Sequence, residues 1–295
     1  MDLPSTKQWE YFIAVAEELH FGRAASRSGI AQPPLTQQIQ KLESLLGCRL
    51  FERHKSVKLT AAGQELLRHA YRIIELSERA VLATGRAARG ETGQLSIGVP
   101  PTVLLSNLPT VISKFRARYR ELDFRLTEGA TSAIEDKVRS GELHLGFLRE
   151  TVPQEPLHSR VYLEEPVVAL LPAKHPLTKR TSLQLRDLRD EDFVFFPRIV
   201  GPALHDKLTS ACATAGFHPR IVQEATQWQS VVAFVEAGAG VALAPDCVRS
   251  FHRKGVAVFP IPKLTTTVHV CWLGELEPAA RNFLKLALTR VQANA

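Results

Sequence analysis

Paired cysteines are absent from this chain of 295 residues. Its four cysteines, Cys48, Cys212, Cys247 and Cys271, each stand alone, with no CxxC spacing. That distribution excludes the common zinc-binding patterns and the disulfide framework of small secreted domains. We therefore expect buried thiols, and we expect neither a metal site nor a cofactor.

Long apolar runs are absent as well. No segment approaches the roughly 20 apolar residues that a helix needs to cross a bilayer. The first residues, Met1-Asp2-Leu3-Pro4, lack the basic start and apolar stretch of a signal peptide. The sequence predicts a cytoplasmic protein without a membrane partner.

The motifs that mark common catalytic centres are also missing. There is no GxSxG, no HExxH and no phosphate-cradling glycine loop, and the histidines do not cluster at metal-ligand spacing. Gly238-Ala239-Gly240 leads into a predicted strand, which indicates a turn that ends a helix rather than a dinucleotide loop. These absences predict that the protein is not an enzyme.

The chain is long enough for more than one hydrophobic core, and it carries a moderate positive charge. At this length, two or more domains are expected. The formal net charge is +7, which by itself is a weak argument for a nucleic-acid partner. The argument for such a partner depends on a motif near the N-terminus.

The stretch Phe21–Leu46 predicts two short helices joined by a tight turn, followed by a longer helix. Gly29 tolerates the positive φ that a sharp turn often needs. Pro33 and Pro34 suit the first turn of a new helix, where a missing N–H has no partner to lose. The apolar residues at helical spacing are Leu35, Ile39, Leu42 and Leu46. On spacing alone, a generic helical hairpin is the favoured description.

The other face of the longer helix is polar and carries a single charge. Its residues are Gln32, Thr36, Gln37, Gln40 and Lys41. Amide and hydroxyl groups are well suited to hydrogen bonds with base edges in a major groove. This face is therefore a candidate DNA-reading surface.

Residues 47–60 predict a basic β-wing behind this motif. An apolar start at Leu50-Phe51 leads to a basic tip and a return strand that ends at Leu59-Thr60. The basic residues of the segment are Arg49, Arg53, Lys55 and Lys58. Such a wing can lie on the phosphate backbone, where contacts add affinity and position. The alternative is a charged turn that only faces solvent.

Several short runs between Trp9 and Leu67 share a family pattern. They are Phe12-Ile13-Ala14-Val15-Ala16, Phe21-Gly22-Arg23-Ala24-Ala25, Gln32-Pro33-Pro34-Leu35, Gln38-Ile39-Gln40-Lys41-Leu42-Glu43, Leu50-Phe51-Glu52-Arg53 and Leu59-Thr60-Ala61-Ala62-Gly63. Together they resemble the DNA-binding domain of the LysR-type transcriptional regulators. The resemblance implies a winged helix-turn-helix. The expected DNA contacts are Arg23, Gln32, Pro33, Pro34, Thr36, Gln37, Gln40, Arg53, Lys55 and Lys58.

Gln37 departs from the family pattern. Many members carry arginine at this second exposed position of the recognition helix. An arginine could grip guanine or phosphate, whereas Gln37 favours adenine or a weaker contact. The resemblance therefore supports DNA binding and leaves the operator sequence open.

Residues 61–90 predict one long helix. It has no proline, and its apolar residues recur in alternating steps of three and four, as in a coiled-coil seam. The seam residues are Leu66, Leu67, Ala70, Ile73, Ile74, Ser77, Ala80, Val81, Thr84, Ala87 and Ala88. We interpret this helix as a dimerisation linker between a DNA-binding domain at residues 1–60 and a regulatory domain at residues 91–295. A helix packed on its own domain is the alternative.

From Gln94 onwards, short β-prone runs alternate with helical runs, which predicts an α/β fold. The resemblance adds an effector-binding domain with two subdomains, similar to periplasmic solute-binding proteins. Subdomain I would contain residues 91–164 and 268–295, and subdomain II residues 165–267. The two crossing strands are expected near Leu157–Glu165 and Thr265–Val270.

In open α/β sheets, ligands bind outside the carboxyl ends of the strands. Three predicted strands are followed by segments that fit this description, beginning at Pro100, Gly129 and Pro197. Hydroxyls of Thr102 and Thr131, with helix-terminal N–H groups, would suit a carboxylate, although Thr131 would also serve as a plain N-cap. Phe196 and Trp228 would offer an apolar, planar surface for a ring. The resemblance to regulators that sense aromatic acids implies an effector site with Thr102, Thr131, Pro197, Arg198 and Trp228. Arg149 and Arg198 would each pair with a carboxylate, unless they are surface residues or internal ion-pair partners. The expected effector is an aromatic or unsaturated carboxylate.

The sequence thus predicts a transcriptional regulator, in keeping with the family an activator, that is closest to the subgroup responding to metabolites of aromatic catabolism. Its expected partners are double-stranded promoter DNA, a small effector, RNA polymerase and further copies of the chain in a homodimer or homotetramer. Two alternatives remain open at this point. One is a redox sensor that uses Cys212 or Cys247. The other is a solute-binding module without DNA activity.

Overall fold

The computed structural model describes residues 3–53 and 56–289. The chain divides into two compact units, one ending at Arg86 and the other beginning at Ala87. Over the described residues, no helix is both long and apolar enough to cross a membrane.

The first unit is a winged helix-turn-helix, as the sequence predicts. Its elements are α1 (Thr6–Glu18), α2 (Phe21–Arg27), α3 (Gln32–Leu46), β1 (Phe51–Glu52), β2 (Lys58–Leu59) and α4 (Ala61–Ala88). The phenylalanines of α1, α2 and β1 meet in its core, with ring centroids of Phe12 and Phe51 5.5 Å apart. Within Phe21–Leu46 there is one short helix and one long helix, so the prediction of two short helices before a longer one was wrong. Gly29, at φ 67°, turns the chain between them.

His20 caps helix α2. Its Nδ1 accepts hydrogen bonds from the backbone N–H groups of Gly22 at 3.1 Å and Arg23 at 3.2 Å. These two donors have no partner inside the helix. The imidazole therefore caps them, as a Ser, Asn or Asp side chain does at most helix N-termini. The acceptor role requires that the ring proton sit on Nε2.

We expect His20→Ala to destabilise the first unit by about 1 kcal/mol, because two first-turn N–H groups lose their acceptor. Hydrogen exchange of the amides in Phe21–Arg27 measures this directly. His20→Asn is the control, since asparagine supplies a side-chain acceptor at the same place. Equal exchange rates in the wild type and in His20→Ala would show that the cap contributes nothing.

Helix α4 has 28 residues, and its two ends differ. Near its start Gly63 and Ala70 are buried, and Leu66, Leu67 and Ile74 pack against the core of the first unit. Farther along, its large apolar residues lie in solvent. They are Ile73, Leu76, Val81 and Leu82. The first half of the predicted seam therefore belongs to the core of this unit, and Leu76 adds an exposed residue that the seam did not include.

The second unit is a mixed α/β structure around one six-stranded sheet. Its strands are β3 (Thr92–Val99), β4 (Glu121–Glu128), β5 (Leu145–Arg149), β6 (Leu157–Pro172), β7 (Asp192–Phe195), β8 (Arg220–Glu224), β9 (Ala242–Pro245) and β10 (Val256–Leu273). Its helices are α5 (Leu108–Arg118), α6 (Thr131–Arg139), α7 (Pro202–Thr214), α8 (Trp228–Glu236) and α9 (Pro278–Leu288). The strand order of the large sheet is β4-β3-β5-β10-β6-β9, and β7 pairs with β8 in a second, parallel sheet.

Two long antiparallel strands, β6 and β10, connect two lobes within this unit. One core surrounds Phe115, Phe147 and Phe283 in the first lobe, which contains β3, β4, β5, α5, α6 and α9. Separate cores lie in the second lobe, which contains β7, β8, β9, α7 and α8. This is the predicted two-subdomain architecture.

The two crossing segments predicted from the sequence pair with each other, with Thr266 opposite Glu165. Strand β10 is continuous from Val256 to Leu273, with register irregularities in its pairing to β6 between Pro260 and Thr265 and between Val268 and His269. The β-branched run Thr265-Thr266-Thr267 favours extended backbone and carries the strand across. Between β6 and β7, residues Leu185–Leu188 form a short 3-10 turn.

Candidate functional site

The exposed face of α3 collects most of the predicted base-reading residues. Gln32, Gln37 and Gln40 are exposed, and so are Pro33 and Pro34 in the first turn. Thr36 is half-buried, and its hydroxyl donates to the Gln32 carbonyl at 3.0 Å. The opposite face, with Leu35, Ile39 and Leu42, is fully buried. A rigidly seated helix thus presents amides in one row, as base readout requires.

Arg23 lies on α2 and contacts the end of α1. Its Nε donates to Glu18 Oε2 at 3.1 Å and its Nη2 to the Glu18 carbonyl at 2.5 Å. The side chain remains largely exposed. Its remaining N–H groups are available to a phosphate.

The wing residues behave differently from one another. Lys58 is exposed on β2, opposite Glu52 in the ladder. Lys55 lies outside the described residues. Arg53 has internal partners: its Nη2 donates to Glu43 Oε2 at 2.9 Å, and its guanidinium lies 4.8 Å from the centre of the Phe21 ring. The family pattern includes Glu43 but did not predict its role here, because a glutamate in the fourth turn of a helix gives no signal of a distant partner.

A cavity of about 530 Å³ lies in the second unit, where β3, β4 and β5 end and α6, α7 and α8 begin. That volume suits a small molecule. Of the predicted effector residues, Thr102, Thr131, Arg149, Phe196 and Trp228 line it together.

Pro197 and Arg198 are not among the residues that line this cavity. Arg198 lies on a short 3-10 turn and makes a two-pronged ion pair with Asp206, at 2.7 and 2.6 Å. Asp206, in the second turn of α7, takes the role that a bound carboxylate would have. Pro197 and Arg198 thus lie outside the lining of this cavity, and Arg198 has the ion-pair partner within the chain that was the alternative expectation for it.

Arg149 is the centre of a buried polar network at the cavity wall and is only 5 % exposed. Its Nε donates to Thr102 Oγ1 at 3.1 Å, and its Nη1 donates to Glu165 Oε1 at 2.8 Å and to Thr266 Oγ1 at 3.3 Å. Its Nη2 is buried and has no partner among the described residues. A buried N–H without an acceptor destabilises a folded protein by about 1–3 kcal/mol. A ligand that offers Nη2 an acceptor would therefore bind favourably here.

The carboxylate of Glu165, which accepts a hydrogen bond from Arg149, is itself held in place. It is 7 % exposed, and its second oxygen accepts a hydrogen bond from the Cys247 backbone N–H at 2.7 Å. Spacing along the chain does not indicate this pairing, because Arg149 lies on β5 and Glu165 on β6. The pair fixes the guanidinium in one orientation.

Both predicted threonines contact Arg149 rather than standing apart from it. Thr131 Oγ1 accepts from the Arg149 backbone N–H at 3.4 Å, and Thr102 Oγ1 accepts from its side chain. Each hydroxyl keeps its own proton to donate to another acceptor. Thr131 is the first residue of α6, after the N-cap Ala130, so the N-cap alternative was wrong by one position.

Three helix N-termini border the cavity. The N-cap residues of α6, α7 and α8 are Ala130, Gly201 and Gln227, and none of them makes a side-chain capping bond. All three line the cavity. Uncapped N–H groups and the positive ends of the helix dipoles make this region favourable for an anion.

The rest of the cavity is largely apolar, with acidic residues among its lining. Phe196 and Trp228 form one wall, with ring centroids 5.2 Å apart. Glu128 and Glu135 also line the cavity, and Glu135 pairs with Arg139 at 2.8 Å. The lining can therefore accept a flat apolar body with an anionic end directed at Arg149.

The cysteines do not form a reactive centre in this part of the molecule. Burial raises the pKa of the Cys212 thiol to about 11, and burial together with the nearby Glu165 carboxylate raises that of Cys247 to about 12. Both thiols are therefore protonated near neutral pH. Over the described residues, no group of His, Cys, Asp and Glu is arranged to hold a metal ion.

Comparison with protein families matches both units. Residues 6–64 match the family described as "Bacterial regulatory helix-turn-helix protein, lysR family", and residues 88–292 match "LysR substrate binding domain".

Curated relatives match along most of their length. AlsR of Bacillus subtilis is 37% identical over 84% of this chain and 82% of its own. IlvR of Caulobacter vibrioides is 36% identical over 95% and 96%, and HcaR of Escherichia coli, named as the Hca operon transcriptional activator, is 33% identical over 95% and 96%.

Solved structures agree with the fold. The crystal structure of CbnR, a LysR family transcriptional regulator, has a TM-score of 0.83 and 28% identity, and covers 96% of this chain and 99% of that one. A complex of full-length CbnR with its target DNA gives a TM-score of 0.81 at 27% identity, over 97% and 99%. The chain belongs to the LysR family: it is a DNA-binding transcriptional regulator with an effector-binding domain, and not an enzyme.

Proposed function

We propose that this regulator is an activator controlled by a small aromatic or unsaturated carboxylate that binds in the cavity of the second unit. The observation that carries the proposal is Arg149, which lines the cavity and whose buried Nη2 has no acceptor among the described residues. A carboxylate oxygen would satisfy it, and a charge-assisted bond of this kind is stronger than a neutral one. We therefore expect Arg149, rather than the two threonines, to make the main contact with the carboxylate of the ligand.

The surroundings favour the same class of ligand. Thr102 and Thr131 can each donate a hydroxyl proton to a carboxylate whose oxygen Arg149 holds. The rings of Phe196 and Trp228 supply a flat apolar surface for a ring or a conjugated chain. We place the protein closest to the subgroup that senses aromatic-catabolism metabolites on this basis.

The DNA half of the proposal concerns the residues that face the groove. We propose Gln32, Thr36, Gln37 and Gln40 as base contacts and Arg23, Pro33, Pro34 and Lys58 as contacts to the backbone. CbnR bound to its target DNA is similar to this chain over nearly its whole length, which supports a common docking mode. Promoter DNA and RNA polymerase are the proposed macromolecular partners.

We further propose residues 1–60 as the DNA-binding domain, 61–90 as the linker helix and 91–295 as the effector domain. The exposed apolar residues of α4 support pairing of two chains through that helix. A dimer would present two recognition helices to half-sites related by two-fold symmetry, and pairing of dimers would give a tetramer.

Calorimetry with benzoate-, cinnamate- and muconate-like acids tests the effector class. We expect saturable binding of at least one acid and none of its primary amide, because the amide lacks the charge that Arg149 pairs with. Thr102→Val should weaken binding of the same acid. Equal affinity for acid and amide would contradict the carboxylate assignment.

Gel-shift assays with the DNA upstream of the chain's own gene test the regulator independently of the effector. We expect Gln32→Ala with Thr36→Ala to weaken the shift. The high thiol pKa values of Cys212 and Cys247 argue against the redox alternative, and uniformly slow thiol titration in the folded protein would remove it.

A further inference from the structure

We infer that Glu43 is a positioning residue that fixes the wing against the recognition helix, and that Arg53 acts as the second half of this clamp. Glu43 lies on α3 and uses both carboxylate oxygens. Oε1 accepts from the backbone N–H groups of Leu50 at 2.8 Å and Phe51 at 3.3 Å, and Oε2 accepts from Arg53 Nη2 at 2.9 Å. One side chain thus holds the start of the wing at three points.

The wing needs such an anchor because its own ladder is short. Strands β1 and β2 have two residues each and pair only as Phe51 with Leu59 and Glu52 with Lys58 in the described part of the chain. A two-stranded ribbon of this size is not stable by itself in water. Phe51 fixes one side of β1 by packing between Phe12 and Phe21, and Glu43 fixes the backbone on the other.

The environment of Glu43 makes these contacts strong. Its side chain is 14% exposed, less than half the value of 33% for Arg53. Hydrogen bonds to a partly buried carboxylate are charge-assisted and worth more than neutral ones. The Arg53 guanidinium also covers the Phe21 ring of α2, so helix α2, helix α3 and strand β1 meet at this ion pair.

The placement of Glu43 connects the two ways in which the domain can touch DNA. Gln37 and Gln40 lie on the exposed face of the same helix, about two turns and about one turn before Glu43 respectively. Lys58 lies on the wing strand that pairs with β1. The clamp therefore sets the distance between base-reading side chains and a phosphate-contacting one, and Arg53 contributes to affinity through Glu43 and not through a phosphate.

Binding of the full-length protein to DNA from upstream of its own gene, measured over a range of salt concentrations, tests this inference. We expect Glu43→Ala to weaken binding and to flatten the dependence of log K on log salt by about 1 to 2, because each lost phosphate contact removes about 0.9 from the slope. The affinity ratio of that DNA to a random fragment of equal length should stay within about threefold. Lys58→Ala is the reference for losing a wing contact directly.

A double-mutant cycle separates the clamp from a direct role of Arg53. If Arg53 works through Glu43, Arg53→Met, Glu43→Gln and the double variant with both changes should weaken DNA binding by the same factor, since each loses only the ion pair. Additive effects of the two single changes would overturn the inference, since they would mean that Arg53 contacts DNA on its own.

Stability measurements guard against a purely structural explanation. Glu43→Gln keeps an oxygen for the Leu50 and Phe51 amides and loses only the charge that holds Arg53, so we expect it to fold and to show an intermediate salt slope. Amide exchange at Leu50 and Phe51 should speed up in Glu43→Ala and stay slow in Glu43→Gln. An unchanged salt slope in both variants would overturn the positioning role.

Discussion

Replacing Arg149 with methionine is expected to abolish the response to an acidic effector while leaving DNA binding intact. Arg149 lines the cavity, and its guanidinium has a buried donor without an acceptor among the described residues. Its loss removes a charge-assisted bond worth about 1.5–3 kcal/mol. Affinity for the acid, measured by calorimetry, should fall between about tenfold and about a hundredfold. Binding to promoter DNA in the absence of effector should stay within about twofold, because Arg149 lies outside the DNA-binding unit.

A control is needed because Arg149→Met leaves Glu165 as a buried charge without its ion-pair partner. A buried carboxylate that loses its ion-pair partner destabilises a protein by about 3–5 kcal/mol, and Glu165 is 7% exposed. The double variant Arg149→Met with Glu165→Gln replaces that charge with a neutral amide, so its thermal stability should recover. If this double variant binds the acid as tightly as the wild type does, Arg149 does not bind the carboxylate of the ligand.

The second large effect concerns helix α4. Replacing Leu76 with glutamate is expected to dissociate the dimer, because a charge would have to be buried in an apolar contact. Leu76 is 68% exposed in the single chain and lies in line with Ile73 and Ala80, at steps of three and four residues. Loss of simultaneous binding to two half-sites should lower DNA affinity on the order of 100-fold or more. Analytical ultracentrifugation and gel shifts measure the two consequences.

Leu82 provides a matched control for this change. It is 67% exposed and lies on the same helix, but about 120° around the helix axis from Leu76. Leu82→Glu should therefore leave both the mass in solution and the DNA affinity near those of the wild type. If both variants remain dimeric, the stripe through Ile73, Leu76 and Ala80 is not the dimer contact.

The local elements followed from short-range chemistry. Two prolines and a preceding glycine turn indicate where α3 begins, and the structure begins it at Gln32. The spacing of Leu35, Ile39 and Leu42 predicts its buried face, and all three are fully buried. Such features depend on backbone preferences and on which side of one helix is apolar, and both can be evaluated from neighbouring residues.

The cavity was predicted in part for a similar reason. Thr102, Thr131 and Arg149 each follow or end a strand of the first lobe, and the ends of parallel strands meet at one edge of a sheet. Arg198 also follows a strand, yet Asp206 binds it and it does not line the cavity. Both arginines pair with a carboxylate, and only Arg149 lines the cavity. Where each carboxylate lies in space is not encoded in spacing along the chain.

The sequence by itself determined the order of the elements, the amphipathic faces and the family to which the chain belongs. Only the tertiary structure decided the partners of the charged groups: Arg149 with Glu165, Arg53 with Glu43 and Arg198 with Asp206. The physical reason is that hydrophobic periodicity repeats within one element, whereas an ion pair depends on where separate elements come together. It also depends on whether burial makes their charges interact strongly.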